Sequence, residues 1–189
     1  MASHEQDPGF LAAVEEAKKG YEEGGVPIGA CLVSANGEIL GRGHNMRFQN
    51  DSATQHAEMA ALENAGRLPA SAYKNATMYT TLSPCQMCSG ALTLFKVNNI
   101  AFNYIPSTNR VKVKRVVIGE NDNYLGGEED LKKRGREVEV LRHKGCKELM
   151  AKFLKEKPEL WCVETFYLLD CLHIYHFLSA VFLSSGTGC

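Results

Sequence analysis

The sequence has no excess of charge of either sign. Its 189 residues include 21 lysines and arginines and 22 aspartates and glutamates, which gives a formal net charge of −1. A protein that holds nucleic acid through a general basic field needs a clear positive excess, so we expect no nucleic-acid partner. Hydrophobic residues make up 44% and charged residues 23% of the chain, and these shares are ordinary for a soluble globular protein.

The sequence also lacks the regular cysteine pairs and the apolar leading segment of a secreted protein. The seven cysteines are odd in number and irregularly spaced, and the residues from Met1 to Asp7 are polar. A secretory signal peptide would need an apolar stretch there. We therefore expect a reducing setting, in the cytoplasm or the nucleus, with free buried thiols at Cys31 and Cys146.

The length of the chain suits one well-buried domain. Asn36-Gly37 lies between two strand-like segments and predicts a tight hairpin. Helix-like and strand-like segments then alternate, and strands joined through a helix should be parallel. We expect an α/β fold of three layers (α/β/α), a mixed five-stranded sheet with helices on both faces. The predicted strands are 27–34, 38–43, 77–82, 113–118 and 138–141, and the predicted helices are 8–23, 56–65, 85–95, 128–134 and 146–155.

Two short segments carry the clearest chemistry, His56 to Glu58 and Pro84 to Cys88. Together they offer three zinc ligands, which are His56, Cys85 and Cys88. Neither segment supplies a fourth cysteine or histidine, so a tetrahedral ion would keep one position open for water, as in catalytic zinc sites. Glu58 is not needed as a ligand and would carry protons as the catalytic residue. The pattern His-x-Glu with Pro-Cys-x-x-Cys is that of the zinc deaminases.

Each segment alone has a more ordinary interpretation. A single Cys-x-x-Cys in an intracellular protein is often a redox pair or half of a structural zinc site, and a single His-x-Glu is often only the polar face of a helix. Both segments here lie where a helix should begin, and the positive end of a helix dipole favours ionised thiolates. The joint interpretation is a catalytic zinc site, with a redox pair and a structural zinc site as alternatives.

From Gly25 to about Trp161 the chain resembles the fungal cytosine deaminases of the cytidine deaminase-like superfamily. The motifs that carry the resemblance are Gly-Val-Pro-Ile-Gly at 25–29, Gly-Arg-Gly-His-Asn-Met-Arg at 41–47, Thr-Gln-His-Ala-Glu at 54–58, Leu-Glu-Asn at 62–64 and Thr-Thr-Leu-Ser-Pro-Cys at 80–85. Thr-Leu-Ser-Pro-Cys is more discriminating than the zinc motif, because tRNA adenosine, guanine and riboflavin deaminases usually carry Glu where this chain has Ser83. The resemblance implies the cytidine deaminase-like fold and one Zn²⁺ per chain.

The resemblance also implies polar contacts to a substrate base. Asn45 would read the carbonyl and ring nitrogen of a pyrimidine, although an asparagine after a strand is often only a turn former. Ala57 and Cys85 would contribute backbone N–H groups. Ser83 would contribute a backbone carbonyl that accepts a hydrogen bond from the leaving amino group.

Further residues would enclose the base. Ile28 matches an apolar wall of the pocket, although it has an ordinary interpretation as core. Tyr124 and Trp161 fall where the family has aromatic residues that close over the substrate, and Trp161, the single tryptophan, has an alternative role in packing a helix against the sheet. Glu164 stands near the position of a family carboxylate that contacts the base.

The segment 97–112 interrupts the resemblance between the second zinc helix and the next strand. Without it, the residues 94–96 would run directly into 113–115 with the usual short connection. One hypothesis is a translated, unspliced intron, because Val97 codons begin with GT and codons for Asn109-Arg110 can supply a terminal AG. The alternative is a lineage-specific surface loop.

The end of the chain also departs from the family, whose pattern is a short acidic tail. The residues from 166 to 183 are apolar, which suggests a membrane anchor. Three polar residues in this stretch would be costly in hydrocarbon, namely Asp170, His173 and His176. We therefore expect no membrane partner, a catalytic domain at 1–161, and an atypical apolar tail at 162–189 that reflects a mispredicted coding end.

These features predict a zinc-dependent hydrolase that deaminates free cytosine to uracil and ammonia in pyrimidine salvage, as a homodimer with a small-molecule substrate. One alternative is a tRNA-type adenosine deaminase or another nucleobase deaminase, and an RNA substrate would need a basic surface. The other is a zinc-stabilised module without turnover. Ser83 and the near-neutral charge argue against the first alternative, and the intact Glu58 argues against the second.

Overall fold

The computed structural model describes residues 4–94 and 113–165, without the side chains of 162–165. Within this part the helices are α1 (Pro8–Glu22), α2 (Ala57–Ala65), α3 (Gln86–Leu94), α4 (Glu128–Lys133), α5 (Lys144–Glu156) and α6 (Pro158–Thr165). The strands are β1 (Gly29–Val33), β2 (Ile39–His44), β3 (Thr77–Leu82), β4 (Arg115–Glu120) and β5 (Glu137–Val140). The bounds of each predicted element are reproduced to within two residues. Helix α6 was not predicted, although Pro158 at its first position is a recognised start signal.

The five strands form one mixed sheet in the order β2-β1-β3-β4-β5. Strand β1 pairs antiparallel with β2 and β3, whereas β3, β4 and β5 are parallel to one another. The hairpin between β1 and β2 is closed by the N–H of Ser34, which donates to the carbonyl of Glu38 at 2.8 Å, and Gly37 takes the left-handed conformation with φ of 85°. The predicted mixed five-stranded sheet is confirmed.

Successive side chains of a strand point to opposite faces of the sheet, so the core forms two layers, one on each face. On one face, Ala30 and Leu32 of β1 belong to a buried cluster that includes residues of α2, α3 and α4. On the other face, Cys31 packs in a cluster that contains Phe10 of α1 and Cys146 of α5. The three-layer arrangement therefore follows from the two-residue period of the strands.

Helix α2 lies very close to strand β2. A Cβ atom at Gly41 would clash with the carbonyl oxygen of Ala61, so the glycine permits the close packing of the helix on the strand. This contact fixes the helix whose N-terminus carries His56.

The described residues divide into two compact units, one that ends at Ala151 and one that begins at Lys152. The second unit contains the end of α5 and all of α6, and the predicted domain boundary after residue 161 stays a prediction. The insertion 97–112 and the apolar run 166–183 lie outside the described residues. Among the helices that the structure describes, none combines the length and the apolar character needed to cross a membrane.

Candidate active site

The three predicted metal ligands come together at the N-termini of two helices. His56 precedes the first residue of α2, Cys85 precedes α3, and Cys88 lies in the first turn of α3. Nδ1 of His56 is 3.5 Å from Sγ of Cys85 and 3.6 Å from Sγ of Cys88, and the three ligand atoms lie within 4.8 Å of one another. Two segments that are distant in sequence thus form one compact ligand group.

The spacing of these atoms fits a tetrahedral Zn²⁺. With a Zn–S distance of about 2.3 Å and a Zn–N distance of about 2.0–2.1 Å, tetrahedral geometry places sulfur and nitrogen ligands about 3.6 Å apart. The group found among the described residues has three members, and His56 and Cys85 are only half-buried. A fourth position therefore remains for water, as a catalytic zinc site requires.

The two thiols differ in acidity even without an ion. The hydrogen bond with Cys88 lowers the pKa of Cys85 to about 4, while burial opposes this effect and the His56 ring assists it. The same hydrogen bond and burial raise the pKa of Cys88. The hydrogen bond thus favours the ionised form at Cys85 and the protonated form at Cys88, whereas zinc binding requires both thiolates.

Glu58 lies beside the ligand group without belonging to it. It is the second residue of α2 and only 3% exposed, and burial raises the pKa of its carboxyl group. A carboxyl group with a raised pKa can hold and release a proton nearer to neutrality. Glu58 thus lies where the sequence predicts a proton carrier, and that role stays a prediction.

Thr80 contacts Glu58 and was missed in the sequence. Its hydroxyl lies 3.0 Å from the carbonyl oxygen of Leu82 and 3.3 Å from Oε1 of Glu58. A hydroxyl that donates to the carbonyl can still accept from a protonated carboxyl group. The strand period could have indicated this position, because Thr80 is two residues from both Met78 and Leu82 and so lies on the same face of β3 as they do.

Asn45 is fully buried where β2 ends beside the start of β1. Its N–H donates to the carbonyl of Ile28 at 2.8 Å, and its side-chain oxygen accepts from the N–H of Arg47 at 3.1 Å. The structure therefore brings Asn45 and Ile28 together, and it also shows the turn-forming role of the asparagine. Ile28 packs partly against the core, and its role as a pocket wall stays a prediction.

The other predicted substrate residues are distributed over both units. Ala57 and Ser83 are buried close in sequence to the ligands, and Tyr124 is half-buried in the loop between β4 and α4. Trp161 and Glu164 belong to α6 in the second unit, and the Glu164 side chain lies outside the described residues. Their roles over the substrate stay predictions.

A buried ionic cluster next to Asn45 was also missed. His44 contacts Glu16 through Nδ1 at 2.8 Å and Glu23 through Nε2 at 2.9 Å, and Nε of Arg42 donates to Glu16 at 2.6 Å. Burial alone would raise the pKa of Glu16, but the hydrogen bonds from His44 and Arg42 outweigh it, so that the pKa is lowered. The cluster fastens α1 to β2, the strand that ends at His44, just before Asn45.

Comparison with known proteins identifies a family of zinc-binding deaminases. Residues 4–104 match the family model of the cytidine and deoxycytidylate deaminase zinc-binding region. A cytosine deaminase of Candida albicans (strain SC5314) is 50% identical over 153 residues, which are 81% of this chain and 91% of that protein. A tRNA-specific adenosine deaminase of Bacillus subtilis (strain 168) is 46% identical over 91 residues, 48% of this chain and 56% of that protein.

A solved structure of a tRNA:A34 deaminase has a TM-score of 0.57 and 26% identity, and the match covers 75% of this chain and 97% of the other. The predicted resemblance to fungal cytosine deaminases is confirmed by the longer of the two sequence matches. Both the sequence matches and the three-ligand group favour catalytic zinc over the redox and structural alternatives. The chain belongs to the cytidine and deoxycytidylate deaminase family and is a zinc-binding hydrolytic deaminase.

Proposed function

We propose that this enzyme converts free cytosine and water to uracil and ammonia. The observation that carries the proposal is the buried carboxyl group of Glu58, which lies beside the three ligands His56, Cys85 and Cys88 without being one of them. A bound Zn²⁺ supplies an activated water, because it lowers the pKa of that water to about 7. The similarity to a cytosine deaminase over 81% of the chain supports the choice of substrate.

Glu58 does the proton chemistry in this proposal. Its carboxylate takes a proton from the attacking water and delivers protons to the ring nitrogen and to the departing ammonia. The raised pKa, which burial causes, favours the protonated form more than in an exposed carboxyl group. Thr80 holds the carboxyl group in place through its hydroxyl.

The remaining residues recognise a bare base. Asn45, buried at the end of β2, pairs with the carbonyl and ring nitrogen of the pyrimidine, and Ser83 accepts from its amino group through the backbone carbonyl. Ile28 forms one wall of the pocket. Tyr124 closes over it and leaves no room for ribose, and the family resemblance assigns the same role to Trp161. The backbone N–H groups of Ala57 and Cys85 and the carboxylate of Glu164 complete the proposed contacts to the base.

We further propose that the enzyme acts in pyrimidine salvage, in the cytoplasm or the nucleus, as a homodimer. Salvage follows from a free base as the substrate, and the odd number and irregular spacing of the seven cysteines support a reducing location. Light scattering on the purified protein tests the dimer, and a single-chain mass would refute it.

The alternative supported by a specific observation is a tRNA adenosine deaminase, because tRNA deaminases are among the similar proteins. The near-balanced charge of the chain speaks against it, since an RNA substrate needs a basic surface. A module without turnover would retain zinc but release no ammonia.

One assay separates these functions. Ammonia release is measured from cytosine, cytidine and a tRNA anticodon stem, with zinc content determined on the same protein. We expect turnover of cytosine alone. Comparable rates on cytidine would refute the bare-base pocket, turnover of the tRNA stem alone would establish the alternative enzyme, and zinc without any turnover would establish the module. Glu58→Gln is the control for adventitious activity.

A further inference from the structure

Two buried carboxylates flank the loop 121–127, which connects β4 to α4 and carries Tyr124. Glu120, the last residue of β4, is 1% exposed, and Glu128, the first residue of α4, is 5% exposed. Carboxylates are rarely buried unless their oxygens are satisfied by donors. The partners of these two residues show what each of them holds.

Glu120 shapes the beginning of the loop. Its Oε2 accepts from the backbone N–H of Asp122 at 2.7 Å and of Asn123 at 3.1 Å, and its Oε1 accepts from the side-chain amide of Asn123 at 3.0 Å. All of these donors belong to the loop itself. Glu120 therefore sets the local conformation and makes no side-chain contact with the metal-binding segment through these bonds.

Glu128 joins the loop to the segment that precedes Cys85. Its Oε1 accepts from the hydroxyl of Ser83 at 2.9 Å and from the side-chain amide of Asn121 at 3.0 Å. The Ser83 oxygen in turn accepts from the backbone N–H of Gly126 at 3.0 Å. Both ends of the loop are thus bound, directly or through Ser83, to one carboxylate oxygen.

The end of the loop lies directly on the metal-binding segment. The N–H of Gly127 donates to the carbonyl of Pro84 at 2.7 Å. A Cβ atom at Gly126 would clash with the same carbonyl and would lie 3.0 Å from Cε1 of Tyr124. The ring of Tyr124 therefore lies at Gly126, which touches the residue before the zinc ligand Cys85.

We propose that Glu128 is a positioning residue, which acts through Ser83 to hold Tyr124 over the metal-binding segment. This inference rests on the proposed function, in which Tyr124 closes over the base. Removal of the acceptor would leave the buried Ser83 hydroxyl and the part-buried Asn121 amide without this partner, and would loosen the loop that Ser83 holds at Gly126. Substrate binding would weaken, whereas proton transfer by Glu58 would continue.

The test compares Glu128→Ala with Glu128→Gln, in which an amide oxygen can replace Oε1. Glu129→Ala is the matched control, because its side chain is 87% exposed and pairs only at the surface with Lys133. For the alanine variant we expect KM for cytosine to rise roughly tenfold, with kcat within about threefold and zinc retained. Glu128→Gln should recover most of the KM, and the control should not differ from the wild type.

Hydrogen exchange gives a readout that does not depend on the substrate. The amides of Gly126 and Gly127 should exchange about tenfold faster in Glu128→Ala and return toward the wild-type rate in Glu128→Gln. If the wild type fails to deaminate cytosine while this exchange pattern appears, the proposed function fails and the positioning role stands. If Glu128→Ala leaves both exchange and KM unchanged, or lowers kcat together with zinc content, the positioning role is wrong.

A second pair of variants covers the case in which Glu128→Ala does not fold. Ser83→Ala removes the hydroxyl that links Gly126 to Glu128, whereas Ser83→Thr keeps a hydroxyl at the same place. Faster exchange and a higher KM in the alanine variant alone support the role. Equal behaviour of the two variants contradicts it.

Discussion

Glu58 and Glu16 are both buried glutamates on helices that pack against the same sheet, yet their surroundings act on them in opposite directions. Glu58 is 3% exposed and its side chain meets the neutral hydroxyl of Thr80, so burial prevails and the pKa is raised. Glu16 is 8% exposed, and hydrogen bonds from His44 and Arg42 overcome burial, so the pKa is lowered. The hydrogen bonds that Glu16 accepts from His44 and Arg42, together with the deeper burial of Glu58, distinguish the two residues.

The difference separates a carboxyl group that exchanges protons from one that holds structure. A pair of titratable groups whose environments move the pKa values apart marks the acid–base residue. Burial raises the pKa of Glu58 toward the proton transfers proposed for it, whereas Glu16 has a lowered pKa and fastens α1 to β2. The predictions below alter one side of this comparison at a time.

The largest effect is expected from removal of a metal ligand. Cys85→Ala should lose zinc and all measurable cytosine turnover, because only two ligands would remain and metal binding contributes to folding. Metal analysis and ammonia release on the purified variant measure both. Retention of zinc by this variant would show that the ligand assignment is wrong.

Glu16→Gln should act on stability. We expect a loss of roughly 2 kcal/mol in the free energy of unfolding, because charged hydrogen bonds to His44 and Arg42 are weakened. Urea unfolding at neutral pH measures it. The matched control is Glu15→Gln, whose side chain is 66% exposed and also bonded to Arg42, and which should change stability by less than about 0.5 kcal/mol. Equal losses in the two variants would contradict a special role of Glu16.

The stabilising effect of Glu16 should depend on pH in a defined direction. Its pKa is lower in the folded protein than the ordinary value of about 4.3. The contribution is therefore complete above that value and is lost as the pH falls through the folded-state pKa. Urea midpoints of the wild type and Glu16→Gln should converge below about pH 4. A difference that stays constant into acid would exclude this linkage.

The smallest effect is expected at Thr80. Thr80→Val removes the hydroxyl beside Glu58 and should lower kcat by roughly threefold to tenfold, with zinc and KM little changed. Thr80→Ser keeps the hydroxyl and should restore most of the rate. Equal rates in the valine and serine variants would mean that the contact does not position Glu58.

The ligand group was predictable because its signals are local. Cys85 and Cys88 lie within one turn at a helix start, where spacing along the chain almost fixes spacing in space, and His56 was joined to them by the deaminase pattern. The hairpin was equally predictable, because Asn36-Gly37 encodes its own turn. A hairpin followed by alternating helices and strands was enough to predict the mixed sheet with helices on both faces.

The supporting contacts were not predictable, because their partners are far apart in the chain. Nothing near His44 indicates that Glu16, 28 residues earlier, will lie against it. The same is true of Ser83 and Glu128, which are 45 residues apart. Polar residues have many potential partners, and the folded backbone selects among them.

Cytosine turnover by Glu58→Gln is the measurement that tests the central claim most directly. The substitution removes the titrating group and nearly preserves the shape of the side chain. The account predicts a folded protein with its zinc in place and a rate lowered by roughly 10²- to 10⁴-fold. A near-normal rate with zinc in place would contradict the role of Glu58 as the proton carrier.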